Sequence, residues 1–213
     1  ELIRYAESLC LRLPEFGPLQ KELEKPHSLI DKLMLDIFAR RIEESKPDLV
    51  AFTIPFPGNL YSGLRCAQWI RINFPSTKIA MGGGYVNTEL RSLSDPAIFN
   101  YTDYLLYDDG ELPLFRLLTG GELIRTLYRN DEGEIVRVNF DSKENVPFAD
   151  TGTPSYDGLL QNNYLNLIEL TNPMHALLSN GRWNKMILAH GCYWGKCAFC
   201  DGSLDYIRRF EQA

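Results

Sequence analysis

Asp48-Leu49-Val50-Ala51-Phe52-Thr53-Ile54 is a short, nearly continuous apolar run. Pro55-Phe56-Pro57-Gly58-Asn59 closes it, and Leu60, Leu64, Ala67, Ile70 and Phe74 then recur at helical spacing up to Pro75. Such a run predicts a strand buried on both faces of a parallel sheet, and the 3.6-residue recurrence predicts a helix packed on that sheet. The order then repeats. Lys78-Ile79-Ala80-Met81 predicts a second strand ending in Gly82-Gly83-Gly84, with a helical patch around Thr88 to Leu93. Asp103-Tyr104-Leu105-Leu106-Tyr107 predicts a third, running through Asp108-Asp109-Gly110-Glu111 into a helix that ends near Leu118. Upstream, residues 28 to 45 read as an amphipathic helix with Ser28 as N-cap and Ile30, Leu33, Met34, Ile37 and Phe38 on one face; Pro47 breaks it. Strand, loop and helix in repetition predict an α/β, Rossmann-like (flavodoxin-like), doubly wound parallel sheet with right-handed crossovers. Its ligand site is expected at the carboxyl ends of the strands, where the three loops fall.

From Leu123 to Phe140 the pattern changes to that of a hairpin turning at Asn130-Asp131-Glu132-Gly133. Residues 141 to 163, rich in Pro, Gly, Asn and Asp, read as a linker. Tyr164 to Leu170 reads as a strand or short helix, and Lys185 to Ala189 as a last strand. The expected division is an α/β domain over residues 1–120, hairpin and linker over 121–163, and a further domain opening over 164–213. Glu1 lies inside helix-like sequence, Leu2 to Leu13, and the chain stops thirteen residues after Cys200, so a piece of a longer protein is expected.

The 45% of hydrophobic and 12% of aromatic residues describe a globular protein, and a net charge of −6 provides no broad basic field for nucleic acid. Arg208 and Arg209 form only a local pair. No apolar segment approaches the roughly 20 residues needed to cross a bilayer, and no charged-then-apolar leader opens the chain. A cytoplasmic setting with reduced thiols, and neither membrane nor nucleic acid as partner, is the expectation.

Three of the five cysteines, Cys192, Cys197 and Cys200, fall within nine residues directly after the apolar run Met186 to Ala189. Three thiolates suit a soft metal or a cubane iron-sulfur cluster, and leave a four-iron cluster one protein ligand short. Structural zinc would take a fourth ligand from His190 or His175, although no second ligand pair follows in the sequence. A redox CxxC is a further reading, opposed by the third cysteine. Cys10 and Cys66 lie in helix-like segments and read as small buried apolar residues.

This CxxxxCxxC loop, with Phe199 just before its last cysteine and a predicted strand before it, resembles the cluster loop of radical S-adenosylmethionine enzymes. It has one residue more than the commonest CxxxCxxC pattern. The resemblance implies that Cys192, Cys197 and Cys200 hold three irons of a [4Fe-4S] cluster, that S-adenosylmethionine chelates the fourth, and that Phe199 sits beside its adenine. It also implies that the loop closes the first strand of a barrel that is incomplete here. The α/β domain resembles the cobalamin-binding domain that precedes the barrel in one branch of that family, which includes enzymes similar to the anaerobic cyclases of Mg-protoporphyrin monomethyl ester. The matching stretches are Asp48 to Asn59, Met81 to Asn87 and Asp108 to Glu111. The implied cobalamin contacts are Thr53, Pro55, Gly58, Asn59, Gly82, Gly83, Gly84, Tyr85, Asp108, Gly110 and Glu111, with glycine expected where backbone must approach a bulky planar ligand. The Asp-x-His-x-x-Gly stretch that supplies cobalt with histidine in many cobalamin proteins is absent; His27 does not match it.

The implied activity of the parent protein is reductive cleavage of S-adenosylmethionine to an adenosyl radical that abstracts hydrogen from a small-molecule or peptide substrate. Cobalamin would then act in methyl transfer or cyclase-type chemistry, with flavodoxin or ferredoxin as electron donor. The fragment alone is expected to be inactive. Blander readings stand beside each motif. The glycines serve equally as a tight strand-to-helix turn or a phosphate cradle, Pro55 to Pro57 as a rigid turn, Glu111 as a favourable charge in a first helical turn, and the acidic residues at 108, 109 and 111 as solvated surface. Two rivals follow: a noncatalytic α/β ligand-binding module with structural zinc, and a cobalamin-independent radical enzyme of the methylthiotransferase kind, disfavoured because only Cys10 and Cys66 remain as extra ligands.

Overall fold

The computed structural model describes residues 16–158, 174, 187–198, 200 and 202–212. They form two compact units, divided between Asn145 and Val146. The first is α/β. Helix α1, Gly17–Glu24, and helix α2, Leu29–Ser45, precede strand β1, Leu49–Thr53. Helix α3, Pro57–Asn73, leads to β2, Lys78–Gly82, and a short helix α4, Gly84–Thr88, leads by way of a 3-10 turn at Pro96–Asn100 to β3, Tyr104–Leu106. Helix α5, Glu111–Thr119, then connects to the hairpin of β4, Thr126–Arg129, and β5, Ile135–Val138.

The five strands form one sheet in the order β1-β2-β3-β4-β5. β1, β2 and β3 run parallel, in register Thr53 with Gly82 and Met81 with Leu105; β4 and β5 are antiparallel additions, with Leu105 opposite Leu127. The α/β class read from the sequence therefore holds, with a sheet compatible with a Rossmann-like arrangement and two differences from the expectation. The order follows the chain without reversal, so among the described strands there is no doubly wound switch point. The hairpin belongs to the sheet of the first unit, and that unit continues to Asn145, past the residue-120 boundary expected from the sequence.

Alternation within the strands sets the core. Ile79, Met81, Leu105 and Leu127 share one face and pack with Leu60, Leu64, Ala67 and Ile70 of α3 and with Tyr85, Val86, Leu90 and Ile98. Two successive crossovers in the same direction put both connecting segments on that one face. β1 differs from its expectation. Ala51 and Thr53 are exposed and Leu49, Val50 and Phe52 only half-buried, because among the described strands β1 is an edge of the sheet and not an interior strand.

Helix α2 starts where Ser28 predicts. The Ser28 hydroxyl accepts from the Asp31 N–H at 3.1 Å and the Asp31 carboxylate accepts from the Ser28 N–H at 2.9 Å, a reciprocal capping box. Asp31 also organises a buried cluster. Tyr61 donates to its Oδ2 at 3.2 Å, and Arg65 Nε lies 3.8 Å from the same oxygen. The Arg65 guanidinium further donates to the carbonyls of Leu23 at 2.5 Å, Glu22 at 3.0 Å and Lys25 at 3.0 Å, at the end of α1, where helical partners run out. One arginine thus satisfies the end of one helix and the start of the next.

In the second unit, β6, Ala189–His190, pairs antiparallel with β7, Glu211–Gln212, and a short helix α6, Asp205–Arg208, precedes β7. Among the described residues β6 has no parallel neighbour of the kind a barrel strand has. Segments 2–13 and 164–170, and the start of the predicted strand at Lys185 and Met186, lie outside the described residues.

Candidate functional site

The residues singled out by the sequence lie at two separate places, one in each unit. In the first unit, parallel pairing brings the loops after β1 and β2 side by side. The Ile54 N–H donates to the Gly82 carbonyl at 2.7 Å and the Tyr85 N–H to the Ile54 carbonyl at 2.9 Å. The resulting rim exposes Thr53, Pro55, Asn59, Gly84, Gly110 and Glu111, with the Phe56 ring 69% exposed beside them. Gly58 is half-buried in the first turn of α3, and Tyr85 is buried in the core.

Gly83 has φ +102° and ψ 179°, a combination essentially restricted to glycine. A Cβ there would lie 2.8 Å from the Ile54 nitrogen and 2.9 Å from its oxygen. The space that glycine leaves is therefore occupied by the end of β1. At Gly83 the close approach is backbone to backbone, the tight strand-to-helix turn that is one of the readings open from the sequence. At Gly82 a Cβ would meet the Leu106 carbonyl at 3.3 Å, so its contact too is internal.

Asp108 is likewise engaged within the protein. Its backbone is left-handed, φ 62°, a conformation that aspartate tolerates. Its N–H donates to Asn87 Oδ1 at 2.7 Å, and Asn87 Nδ2 donates to its carbonyl at 3.1 Å. Its carboxylate accepts from Arg91 at 2.6 and 3.3 Å, with Arg125 Nε 3.7 Å away. Arg125 is itself buried and donates to the carbonyls of Ser142 and Glu144 and to Asn145 Oδ1, which ties the far end of the unit to this corner. Asn87, Arg91 and Arg125 escape the sequence reading. The i, i+4 spacing of Asn87 and Arg91, and an arginine inside the apolar run 123–127, were the available signals. Glu111 sits exposed in the first turn of α5. A negative charge is favourable there whatever else it does.

Two cavities of this unit, of about 370 and 390 Å³, lie away from the rim. One, beside Lys78, Asp103, Tyr104 and Tyr128, is at the amino ends of β2 and β3; the other is bounded by His27, Arg65, Trp69 and Ile72.

In the second unit, β6 leads into the cysteine loop. Gly191 has φ +80°, and a Cβ there would run into the Arg209 carbonyl, so glycine permits the β6–β7 pair to stay closed at this point. Cys192 is half-buried and Cys197 and Cys200 are exposed; all are free thiols. The Gly195 N–H donates to Cys192 Sγ at 3.4 Å. His190 stacks on Phe148 at 6.0 Å between centroids. Among the described residues no group of three or more His, Cys, Asp or Glu is gathered as a metal site, so the three sulfurs offer a suitable donor set in an unassembled loop. Metal binding and ordering of such a loop are coupled. Phe199 lies outside the described residues, as do Cys10 and His175.

Among the described residues no helix is long and apolar enough to cross a membrane. Comparisons with family models, with curated proteins and with solved structures return no match.

Proposed function

We propose that this chain is part of a radical S-adenosylmethionine enzyme, with Cys192, Cys197 and Cys200 as the ligands of a [4Fe-4S] cluster. The observation that carries this reading is the trio of free, accessible thiols in one loop directly after a strand. Three sulfurs leave one metal vertex for a small-molecule chelate, which sets such a site apart from a closed structural one. When bound, the cluster would supply the electron that cleaves the sulfonium cofactor. The protein's part is to hold and shield: the Gly195 N–H compensates charge on the first sulfur, and exposed Tyr193 and Trp194 offer apolar surface for burying the loop.

For the α/β unit we propose cobalamin, held on the rim of Thr53, Pro55, Asn59, Gly84, Gly110 and Glu111. Gly82 and Gly83 are used by the sheet itself, and the rim is an open surface. Substrate, methyl-transfer or cyclase chemistry, and flavodoxin or ferredoxin as electron donor, rest on the sequence resemblance.

Anaerobic reconstitution with iron and sulfide tests the cluster. Visible sulfide-to-iron absorbance with about four irons per chain is expected, lost when Cys192, Cys197 and Cys200 are all replaced by alanine. Undiminished absorbance in that variant sinks the assignment. Stoichiometric zinc retained without iron would instead support the noncatalytic module.

A further inference from the structure

The chain passes from the first unit to the second between two side-chain clamps. At the end of the first unit, the buried Arg125 guanidinium donates to the Ser142 carbonyl at 3.2 Å, the Glu144 carbonyl at 2.6 Å and Asn145 Oδ1 at 3.0 Å. All three acceptors fall in the last turn of chain before the boundary at Asn145. Asp108 Oδ2 stands 3.7 Å from the Arg125 Nε, which anchors the guanidinium to the loop after β3. Hydrogen bonds from a buried ionised donor are the strong kind, whereas the Arg116–Glu144 ion pair, open to solvent, adds little. At the start of the second unit, the Phe148 N–H donates to Glu211 Oε2 at 2.9 Å and the Phe148 ring stacks on His190. Glu211 and His190 are cross-strand partners in the β6–β7 pair, so both strands grip this one residue. Only Val146 and Pro147 stand between Asn145 and Phe148. Among the described residues the Val146 N–H donates to no acceptor.

We propose that Val146 and Pro147 are the joint between the two units, with Arg125 as the clamp on one side and the Glu211–His190 pair as the clamp on the other. The composition of residues 141 to 163 is that of a linker, and a free chain of that length would span roughly 25 Å. With both clamps closed, Asn145 and Phe148 are at most about 11 Å apart. The joint is stiff as well as short. The Pro147 ring sets its φ, at −55° with ψ 140°, and the residue before a proline is kept to extended conformations, the more so when it is β-branched.

Reorientation of the cysteine-bearing unit is thereby confined to a few dihedrals, as at a hinge built from element-terminal residues. Opening a clamp is what lengthens the tether. Loss of the Arg125 side chain frees the chain back to Asn139, whose carbonyl still accepts from the Arg125 N–H at 3.4 Å. The far clamp sits on β6, which leads through Gly191 to Cys192, so the root of the cysteine loop and the joint share Phe148 as their point of attachment. This holds whether or not the cysteines take a cluster.

Lys143 lies inside the segment that Arg125 holds, and no other lysine occurs between Lys78 and Lys185. A lysine-specific protease acting on the full chain should cut after Lys143 at least roughly tenfold more slowly than in a free peptide of residues 139–147, because cleavage requires the held backbone to open. Arg125→Met should raise that rate toward the peptide's while the bonds after Lys32 and Lys78 stay uncut; cuts at those positions as well would report unfolding of the unit, and the comparison of the unaltered chain with the peptide then decides alone. Amide exchange reads the other side. The Phe148 amide should exchange at least roughly tenfold more slowly than in a peptide, Glu211→Ala should remove that protection, and the Val146 amide between the clamps should exchange at close to the peptide rate. Cleavage after Lys143 at the peptide rate in the unaltered chain overturns the proposal. So does an unprotected Phe148 amide, or a Val146 amide as protected as Phe148.

Discussion

At the scale of single residues, the glycines divide by what surrounds them. Gly83→Ala forces a Cβ into the Ile54 backbone and demands a backbone conformation that alanine rejects. It should lower the stability of the first unit by about 3 kcal/mol in urea unfolding, with no ligand involved. Gly110→Ala, at φ −69° with open space around the new carbon, should change stability by less than about 0.5 kcal/mol. Equal losses at the two positions would contradict the backbone explanation. Cys66 gives a second prediction. Burial, reinforced by the Asp31 carboxylate, raises its thiol from 9.0 to about 12, whereas Cys197 and Cys200 stand in solvent. Thiol titration of the folded chain at pH 8 should label the loop cysteines and spare Cys66. Between pH 9 and 12 the unfolded chain has lost the Cys66 proton and the folded chain has kept it, so stability is intact below 9 and falls across that window. Cys66→Ala should flatten the fall, measured as the urea midpoint against pH.

At the scale of elements, the arrangement of α1, α2 and α3 depends on a polar cluster inside the apolar packing. Arg65→Ala would strand Asp31 as a buried charge and take the guanidinium donors from the carbonyls that end α1. A loss of about 3–5 kcal/mol is expected in chemical denaturation. Asp31→Asn keeps a hydrogen-bonding side chain in place and should cost clearly less. The sequence shows Ser28 and Asp31 at capping-box spacing because that pattern is local. It hides Arg65, whose partners lie about forty residues away in sequence and meet it only after α3 has packed against α1. Asp108 repeats the lesson. As sequence it is an acidic residue in a loop at a strand end, and its role became legible only when Arg91 and Arg125 arrived from two other segments.

At the scale of the whole molecule, the boundary of the first unit is open to direct test. A chain ending at residue 120 lacks β4 and β5, which uncovers the edge of β3 and removes Leu127 from the core. Ending at Asn145 keeps the hairpin and the carbonyls that bind Arg125. The longer fragment should unfold cooperatively with a midpoint close to that of the same unit in the full chain, and the shorter should aggregate or melt without a sharp transition. Cooperative melting of the shorter piece would restore the boundary drawn from composition.

Local periodicity was enough to read, from residues alone, the helix after Ser28, the three parallel strands, α3 and α5, and the hairpin turn at Asn130 to Gly133, since each is set by contacts within a turn or by alternation along a strand. The cysteine trio was equally legible as a pattern, because spacing is a property of the chain. Tertiary structure alone decided that β1 is an edge among the described strands, that the hairpin extends the sheet, that Gly83 yields its space to Ile54, and that Asp31 and Asp108 are bound by arginines. Those outcomes depend on which distant segments become neighbours. Hydrogen bonding and close packing act through space, and a one-dimensional pattern carries no record of them until the chain has folded.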